Sequence, residues 1–327
     1  MLVLAGSAFG CGDRSTLPAA LSDEEFWQLI SDLSEPAGTF AHSDNLVSNE
    51  LPYVNLIRML RPSGGAYIGV GPEQNFSYVA ALRPSIAFVI DIRRENRNLH
   101  LLYKALFELA GNRADFLSRL FSRERPAGLS TASSVDALFE AFGRAEARSS
   151  LLEATRGLVY ERLLNVHRFQ LTGVDLDDID YVLHAFFEDG PEITYSRSNA
   201  ADDEPRPSYR ALMTVRDISG ESRSYLASED AFAAVKALQA ANLVVPVVGD
   251  FAGPTAIRRA GEFVRQRRST VSVFYASNVE VYLHQQKTIV FCANISALPY
   301  TPATWFISSK TMKPFPAKLK TCPGMTQ

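Results

Sequence analysis

Apolar residues recur along this chain with two periods, and the alternation of the two lays out its plan. Ser22-Asp23-Glu24-Glu25 begins a helix with acids in its first turn, and Phe26, Leu29, Ile30 and Leu33 follow at helical spacing. Pro36 and Gly38 end it. A polar stretch around Ser43-Asp44-Asn45 leads to Ser48-Asn49-Glu50, and Val54, Ile57 and Leu60 predict a second helix that finishes at Pro62-Ser63-Gly64-Gly65. The period then changes. Residues 66–71 read as a buried strand ending in glycines, residues 75–82 as a helix closed by Pro84, and residues 86–92 as a second strand, apolar almost throughout. Residues 94–121 read as one long amphipathic helix, with Leu99, Leu102, Tyr103, Leu106, Phe107 and Ala110 along its buried side.

Residues 123–225 break the alternation: helices are expected near 134–164 and 177–187, and the polar stretch 196–207 reads as a flexible loop. The rhythm resumes with a helix over 228–241 and a strand over 243–248. A helix opened by Pro254 runs to about Gln266, and a strand covers 270–276. A helix starts at Val279, and a short last strand covers 304–308. Continuous apolar strands separated by helices predict an α/β, Rossmann-like, mostly parallel sheet covered on both faces. The expected plan has five parts. Residues 1–21 are a signal-like segment and linker, and 22–122 a helical lead-in with the first half of the sheet domain. Residues 123–225 are a largely helical insertion or cap between strands two and three, 226–310 the second half, and 311–327 a tail.

Composition narrows the function. The chain has 327 residues, 46% hydrophobic and 21% charged, with a net charge of −3. That is ordinary globular composition with no basic stripe, so duplex nucleic acid is not an expected partner. The local arginine groups (Arg93, Arg94, Arg97; Arg265, Arg267, Arg268) read as solvated helix faces. The three cysteines, Cys11, Cys292 and Cys322, fit no zinc spacing; free thiols are the simpler reading, and pairing of Cys292 with Cys322 cannot be read from sequence. The first ten residues, MLVLAGSAFG, followed by Cys11, resemble the end of a bacterial lipoprotein signal, although Phe9 is bulky and no Lys or Arg precedes the apolar run. Two locations therefore stand open, cytoplasmic or exported and lipid-anchored at Cys11. Membrane contact is expected only through such an anchor, because no segment has the ~18 apolar residues a span needs.

Ligands of an open parallel sheet bind outside the carboxyl ends of its strands. After the first strand come Gly69, Gly71, Pro72, Glu73 and Gln74; after the second, Asp91; after the third, Asp250 and Phe251; after the fourth, Ser277, Asn278 and Glu280. Glycines let backbone approach a ligand, and Asp91, 20 positions beyond Gly71, suits the two hydroxyls of a ribose. Asp91 also reads as a helix cap. The third glycine of a dinucleotide fingerprint is missing and no GK[ST] follows. Glu73 would oppose a pyrophosphate and favour a cationic, phosphate-free ligand such as S-adenosylmethionine. The acids Asp175, Asp177, Asp178 and Asp180 read as a helix N-terminus rather than a calcium loop, the five histidines form no HxxxH pair, and no metal is expected.

Gly69-Val70-Gly71, Asp91, Gly249-Asp250-Phe251 and Ser277-Asn278-Val279-Glu280 together resemble the glycine loop, ribose acid, adenine-side turn and substrate-side motif of class I S-adenosylmethionine-dependent methyltransferases. More closely, SDNLVSNE (43–50), GGAYIGVGPEQNFSYVA (64–80), VIDIRREN (89–96), VPVVGDFAGPTAIR (245–258) and FYASNVEVYL (274–283) resemble the LIC_10091 family, uncharacterised bacterial proteins described as methyltransferase-like. The resemblance spans roughly residues 22–310. It implies a class I methyltransferase sheet with S-adenosylmethionine on Gly69, Gly71, Pro72, Glu73, Asp91, Asp250 and Phe251. Asn49, Glu50 and Ser277 would bind the acceptor, with Asn278 and Glu280 at the reacting centre. Asp44, Asn49 and Glu50, on the lead-in, would close over the methionine end. The chain departs from that pattern before the glycine loop, where Tyr67-Ile68 replace the usual acid, and after strand five, where only residues 309–327 remain for two closing strands. Two other readings stand beside the methyltransferase reading: a non-catalytic binding or interaction protein on the same fold, favoured by the missing strands and by export, and an NAD(P)-dependent oxidoreductase, opposed by the missing third glycine.

Overall fold

The computed structural model describes residues 15–40, 44–197, 206–283, 286–309, 312–314 and 322. The lipoprotein-like segment with Cys11, and the centre of the 196–207 loop, lie outside the described residues. The lead-in helix α1 (Asp23–Leu33) carries a full capping box, Ser22 with Glu25, and buries Phe26, Ile30 and Leu33. The second, α2 (Tyr53–Ile57), is shorter than its pattern predicts. Ser48 and Glu50 are drawn away from helix formation by bonds to the next turn of the chain, described below.

Strand β1 (Ala66–Gly69) leads through the glycine turn into α3 (Gln74–Leu82), and β2 (Ile86–Asp91) follows. Between β2 and the third strand the described residues form seven α-helices: α4 (Arg94–Leu109), α5 (Arg113–Leu120), α6 (Val135–Arg144), α7 (Ser149–Tyr160), α8 (Gly173–Asp189), α9 (Tyr209–Thr214) and α10 (Glu229–Ala240). The single helix expected over 94–121 is two, because Ala110 leaves helical geometry and Asn112 caps a new start by accepting from the Asp115 amide. Helix α8 begins with a Thr172–Asp175 capping box, the helix N-terminus its acids predicted. Strand β3 (Val244–Val248), α11 (Ala256–Gln266), β4 (Val271–Ser277), α12 (Gln286–Ser296), β5 (Trp305–Ser308) and β6 (Met312–Pro314) complete the fold. Pro254 stands just outside α11. The cap is supplied instead from the lead-in, where Glu35 Oε1 accepts from the Thr255 and Ala256 amides at 2.7 Å each. The helix expected from Val279 is a short 3₁₀ turn, Val279–Tyr282, separate from α12.

The sheet order is β3-β2-β1-β4-β5-β6; the first five strands are parallel and β6 pairs antiparallel to β5. This is an α/β, Rossmann-like fold. The strand β6 falls in the stretch expected to be a C-terminal tail. Every residue of β1, β2 and β3 is buried, which is why these runs carry no polar alternation. Helices α3, α4 and α10 pack together on the sheet, and α1 and α11 pack against β3 and β2. Cys292 on α12 is disulfide-bonded to Cys322, Cα to Cα 5.6 Å, which corrects the expectation of free thiols. The two partners are 30 residues apart in sequence. Among the described residues no helix is long and apolar enough to cross a membrane.

Candidate functional site

The parallel register brings the carboxyl ends of four strands to one edge of the sheet. Gly69 stands beside Val89, and Asp91 beside Val248. The Gly249 amide donates to the Asp91 carbonyl at 2.8 Å. A cleft of about 350 Å³ opens over this edge, within the range of small-molecule sites. Gly71 and Pro72 line it from β1, Asp91 and Arg93 from β2, Gly249, Asp250 and Phe251 from β3, and Tyr275, Ser277, Asn278 and Val279 from β4. The lead-in adds Thr39, Phe40, Asn45, Ser48 and Asn49, the helical region adds Tyr195, and the segment after β4 adds Tyr282, Leu283 and Lys287.

The two loop glycines have different reasons to be glycine. Gly71 has φ +82°, and a Cβ built there meets nothing within 4 Å, so the backbone conformation demands glycine and leaves open space above it. Gly69 does not line the cleft; a Cβ there would collide with the Tyr67 ring and Asn75 Oδ1. It is a packing glycine. Asn75 pins the turn: its Nδ2 donates to the carbonyls of Val70 (3.0 Å), Gly71 (3.1 Å) and Pro72 (2.7 Å), and its Oδ1 accepts from Tyr67 at 2.8 Å. Tyr67 thus fills the place of the expected acid with a hydroxyl bonded to the loop's own anchor. His100 Nε2 donates to the Gly71 carbonyl at 2.9 Å, and burial holds its pKa down at about 4, so the ring is neutral.

Glu73 is placed otherwise than expected. It is fully buried, lies outside the cleft lining, and accepts from the Ser48 amide at 3.1 and 3.3 Å. Burial raises its pKa to about 8, so it is protonated at neutral pH and gives the loop no negative charge. The neighbouring Gln74 occupies the third-glycine position and does line the cleft. Its side chain is held by Ser48 Oγ, by Tyr275 at 3.1 Å and by Glu50 at 3.3 Å. Glu50 itself lies just behind the surface. Its Oε2 accepts from Tyr275 at 2.8 Å and its Oε1 from Ser277 Oγ at 2.5 Å. Ser277 sits at a register shift in β4 with φ +50°, an unusual conformation for serine that turns its side chain back onto Glu50.

Asp91 is 5% exposed. Its Oδ1 accepts from the Arg93 amide at 2.9 Å and pairs with Arg93 Nε at 3.2 Å. The α4 cap position is Arg93, so Asp91 closes a two-residue turn rather than capping the helix. Asp250 Oδ1 accepts from the Ala252 amide at 2.8 Å and its Oδ2 from Lys287 at 3.1 Å. Phe251 packs on Phe274 at 5.1 Å between centroids and still forms part of the wall. Asn49 and Asn278 are exposed at the rim. Glu280 does not line the cleft, and its Oε1 is buried without a partner. Asp44 belongs to the adjoining wall, where its carboxylate accepts from Tyr181 and Ser196.

Of the expected residues, Gly71, Pro72, Asp91, Asp250, Phe251, Asn49, Ser277 and Asn278 converge; Gly69, Glu73 and Glu280 do not, and Glu50 acts from behind. Gln74, one of the residues collected after the first strand, lines the cleft as well, whereas Arg93, Tyr275, Tyr195 and Lys287 are not among the expected residues. Arg93, read as part of a solvated face, is 5% exposed. The arrangement offers a glycine turn open to close approach, a carboxylate beside apolar Ile90 and Ile92, and a hydroxyl group held by a buried carboxylate at the far end.

The model of a family described as a domain of unknown function (DUF7790) matches residues 45–173 and 195–321. Among curated proteins, no match to the chain is found.

Proposed function

The chain belongs to the DUF7790 family, and we propose that it is an S-adenosylmethionine-binding methyltransferase. The observation that carries this reading is the convergence of Gly71, Asp91, Asp250–Phe251 and Ser277–Asn278 on one cleft over consecutive parallel strands. Ligands of such sheets sit at this edge, and an acid ending the second strand is placed for ribose hydroxyls. The open space above Gly71 is a cradle that a Cβ would fill. Two features argue for a phosphate-free nucleoside over a dinucleotide. Gln74 stands where close pyrophosphate approach needs a glycine, and Ser48 lies over the start of α3, bonded to Gln74 and Glu73. With Glu73 neutral the loop carries no charge, and Asp91 and Asp250 are each paired with a cation, Arg93 and Lys287, so the reading rests on the shape of the cleft rather than on its charge.

S-adenosylmethionine, when bound, supplies an electrophilic methyl on its sulfonium. The chain's own residues do the rest: Asp91 holds the ribose, Phe251 and Ile92 flank the base, and Ser277 and Asn278 orient the acceptor. Methyl transfer is an in-line displacement, so alignment and exclusion of water are the main requirements. The methyltransferase-type sheet and the role of the helical region between β2 and β3 as an insertion forming the acceptor wall, through Tyr195, belong to this proposal. Asp91→Ala should remove S-adenosylhomocysteine binding in a calorimetric titration while the fold persists; unchanged affinity would refute the ribose assignment. A second reading, a binding protein of this fold without turnover, is favoured by the Cys292–Cys322 disulfide, which suits an oxidising compartment.

A further inference from the structure

The charges around the cleft do not cancel. Asp91 pairs with Arg93 and Asp250 with Lys287. Glu50, just behind the Ser277 wall and 9% exposed, is held instead by neutral donors: Ser277 Oγ at 2.5 Å, Tyr275 at 2.8 Å and the Gln74 amide at 3.3 Å. Among the described residues it has no ion-pair partner. Both of its oxygens are occupied by donors, the pattern of an ionised carboxylate, so one negative charge stands at this end of the cleft without a counter-charge. The same bonds fix what Ser277 offers a ligand. A hydroxyl has one hydrogen, and that of Ser277 is committed to Glu50, because a carboxylate only accepts. Ser277 Oγ therefore turns lone pairs to the cleft it lines. Asn278 Oδ1, 3.5 Å away, is a second acceptor. A ligand group here must bring hydrogens, and a positive charge on it answers Glu50.

We propose that this end of the cleft is a subsite for a primary or secondary ammonium group, which donates to Ser277 Oγ and Asn278 Oδ1 with the Glu50 charge behind the hydroxyl. The ligand class is an amine with an apolar body, since Val279 and Leu283 belong to the same lining. A quaternary ammonium brings charge without a donor and an alcohol a donor without charge, so neither meets both requirements. In the sheet order, β4 lies beyond β1 from the strands that carry Asp91 and Asp250. An adenosyl group over β2 and β3 thus leaves Ser277 to a second molecule. Calling that molecule the methyl acceptor rests on the methyl-donor reading; the ammonium subsite itself does not.

The test is isothermal titration of the full chain, free and saturated with S-adenosylhomocysteine, with benzylammonium chloride, benzyltrimethylammonium chloride and benzyl alcohol. Benzylammonium should bind saturably in both forms, about tenfold or more tightly than either of the others. Glu50→Gln and Ser277→Ala should each weaken benzylammonium by about tenfold or more. Alanine meets no more backbone strain than serine at φ +50°, so Ser277→Ala decides if Glu50→Gln fails to fold. No saturable heat with benzylammonium overturns the proposal, as does equal binding of benzyltrimethylammonium or undiminished affinity in a folded variant. Loss of benzylammonium binding on saturation with S-adenosylhomocysteine also overturns it, because the charge would then serve the adenosyl ligand. No heat with S-adenosylhomocysteine itself would sink the methyl-donor reading alone, since the free-chain titrations need no adenosyl ligand.

Discussion

Replacement of Glu73 by glutamine tests the placement of the loop's only acid. In the folded chain burial raises the Glu73 carboxyl from 4.5 to about 8. Below about pH 4.5 the group is protonated in both folded and unfolded chains and costs nothing. Between those values the unfolded chain releases the proton and the folded chain keeps it, so stability falls as pH rises; above the folded pKa the cost is complete. The full penalty is on the order of 5 kcal/mol, and about 3 kcal/mol of it is present at pH 7. Glutamine is close in shape, its carbonyl oxygen still accepts from the Ser48 amide, and it carries no charge to suppress. Urea denaturation of wild type and Glu73→Gln at pH 5 and pH 8 isolates this group, because every other titration is common to both proteins. The variant's stability relative to wild type should improve by roughly 3 kcal/mol between the two pH values. A difference between the two proteins that stays the same at both would show that Glu73 is ionised in the folded chain, and the reasoning would fail.

The glycine turn makes two further contrasts. Gly71→Ala meets only the strain of a left-handed backbone, about 1–2 kcal/mol, whereas Gly69→Ala also forces Tyr67 and Asn75 apart and should lower the denaturation midpoint clearly more. Asn75→Ala strips three carbonyls and the Tyr67 hydroxyl of their shared partner; at about 1–3 kcal/mol per buried group left unpaired, it should be among the most destabilising substitutions in the chain. Cys322→Ser should cost up to about 3.6 kcal/mol by loop-closure entropy, and hydrogen exchange should show the loss concentrated in α12 and β5 rather than spread over β1–β3. Equal exchange protection with and without reductant would contradict that assignment.

The strands β1, β2 and β3 were legible because burial on both faces writes itself as an unbroken apolar run. Gly71 was legible because a turn between strand and helix needs a positive φ. Side-chain direction at the start of α3 was not: Glu73 and Gln74 are neighbours, yet one points into the core and the other into the cleft, and sequence spacing does not settle the rotation at a helix's first residue. The same holds for Gly69, whose missing Cβ serves Tyr67 and Asn75. Arg93 sits in a run that reads as a charged helix face, but the turn after Asp91 folds it inward. Tyr195 comes from a distant segment with no local pattern, and the Cys292–Cys322 pair joins positions 30 residues apart that no spacing rule connects. The second lead-in helix was overestimated because Ser48 and Glu50, plausible helix-start residues, instead bond across to Glu73, Gln74, Tyr275 and Ser277.

The central claim is that the cleft over Gly71, Asp91 and Asp250 takes a phosphate-free adenosyl ligand. Isothermal titration of the wild-type chain with S-adenosylmethionine, S-adenosylhomocysteine and NAD measures it directly. The account predicts saturable one-site binding of both sulfur ligands and no heat with NAD; absence of heat with both sulfur ligands in a folded sample, or tighter binding of NAD, would contradict it.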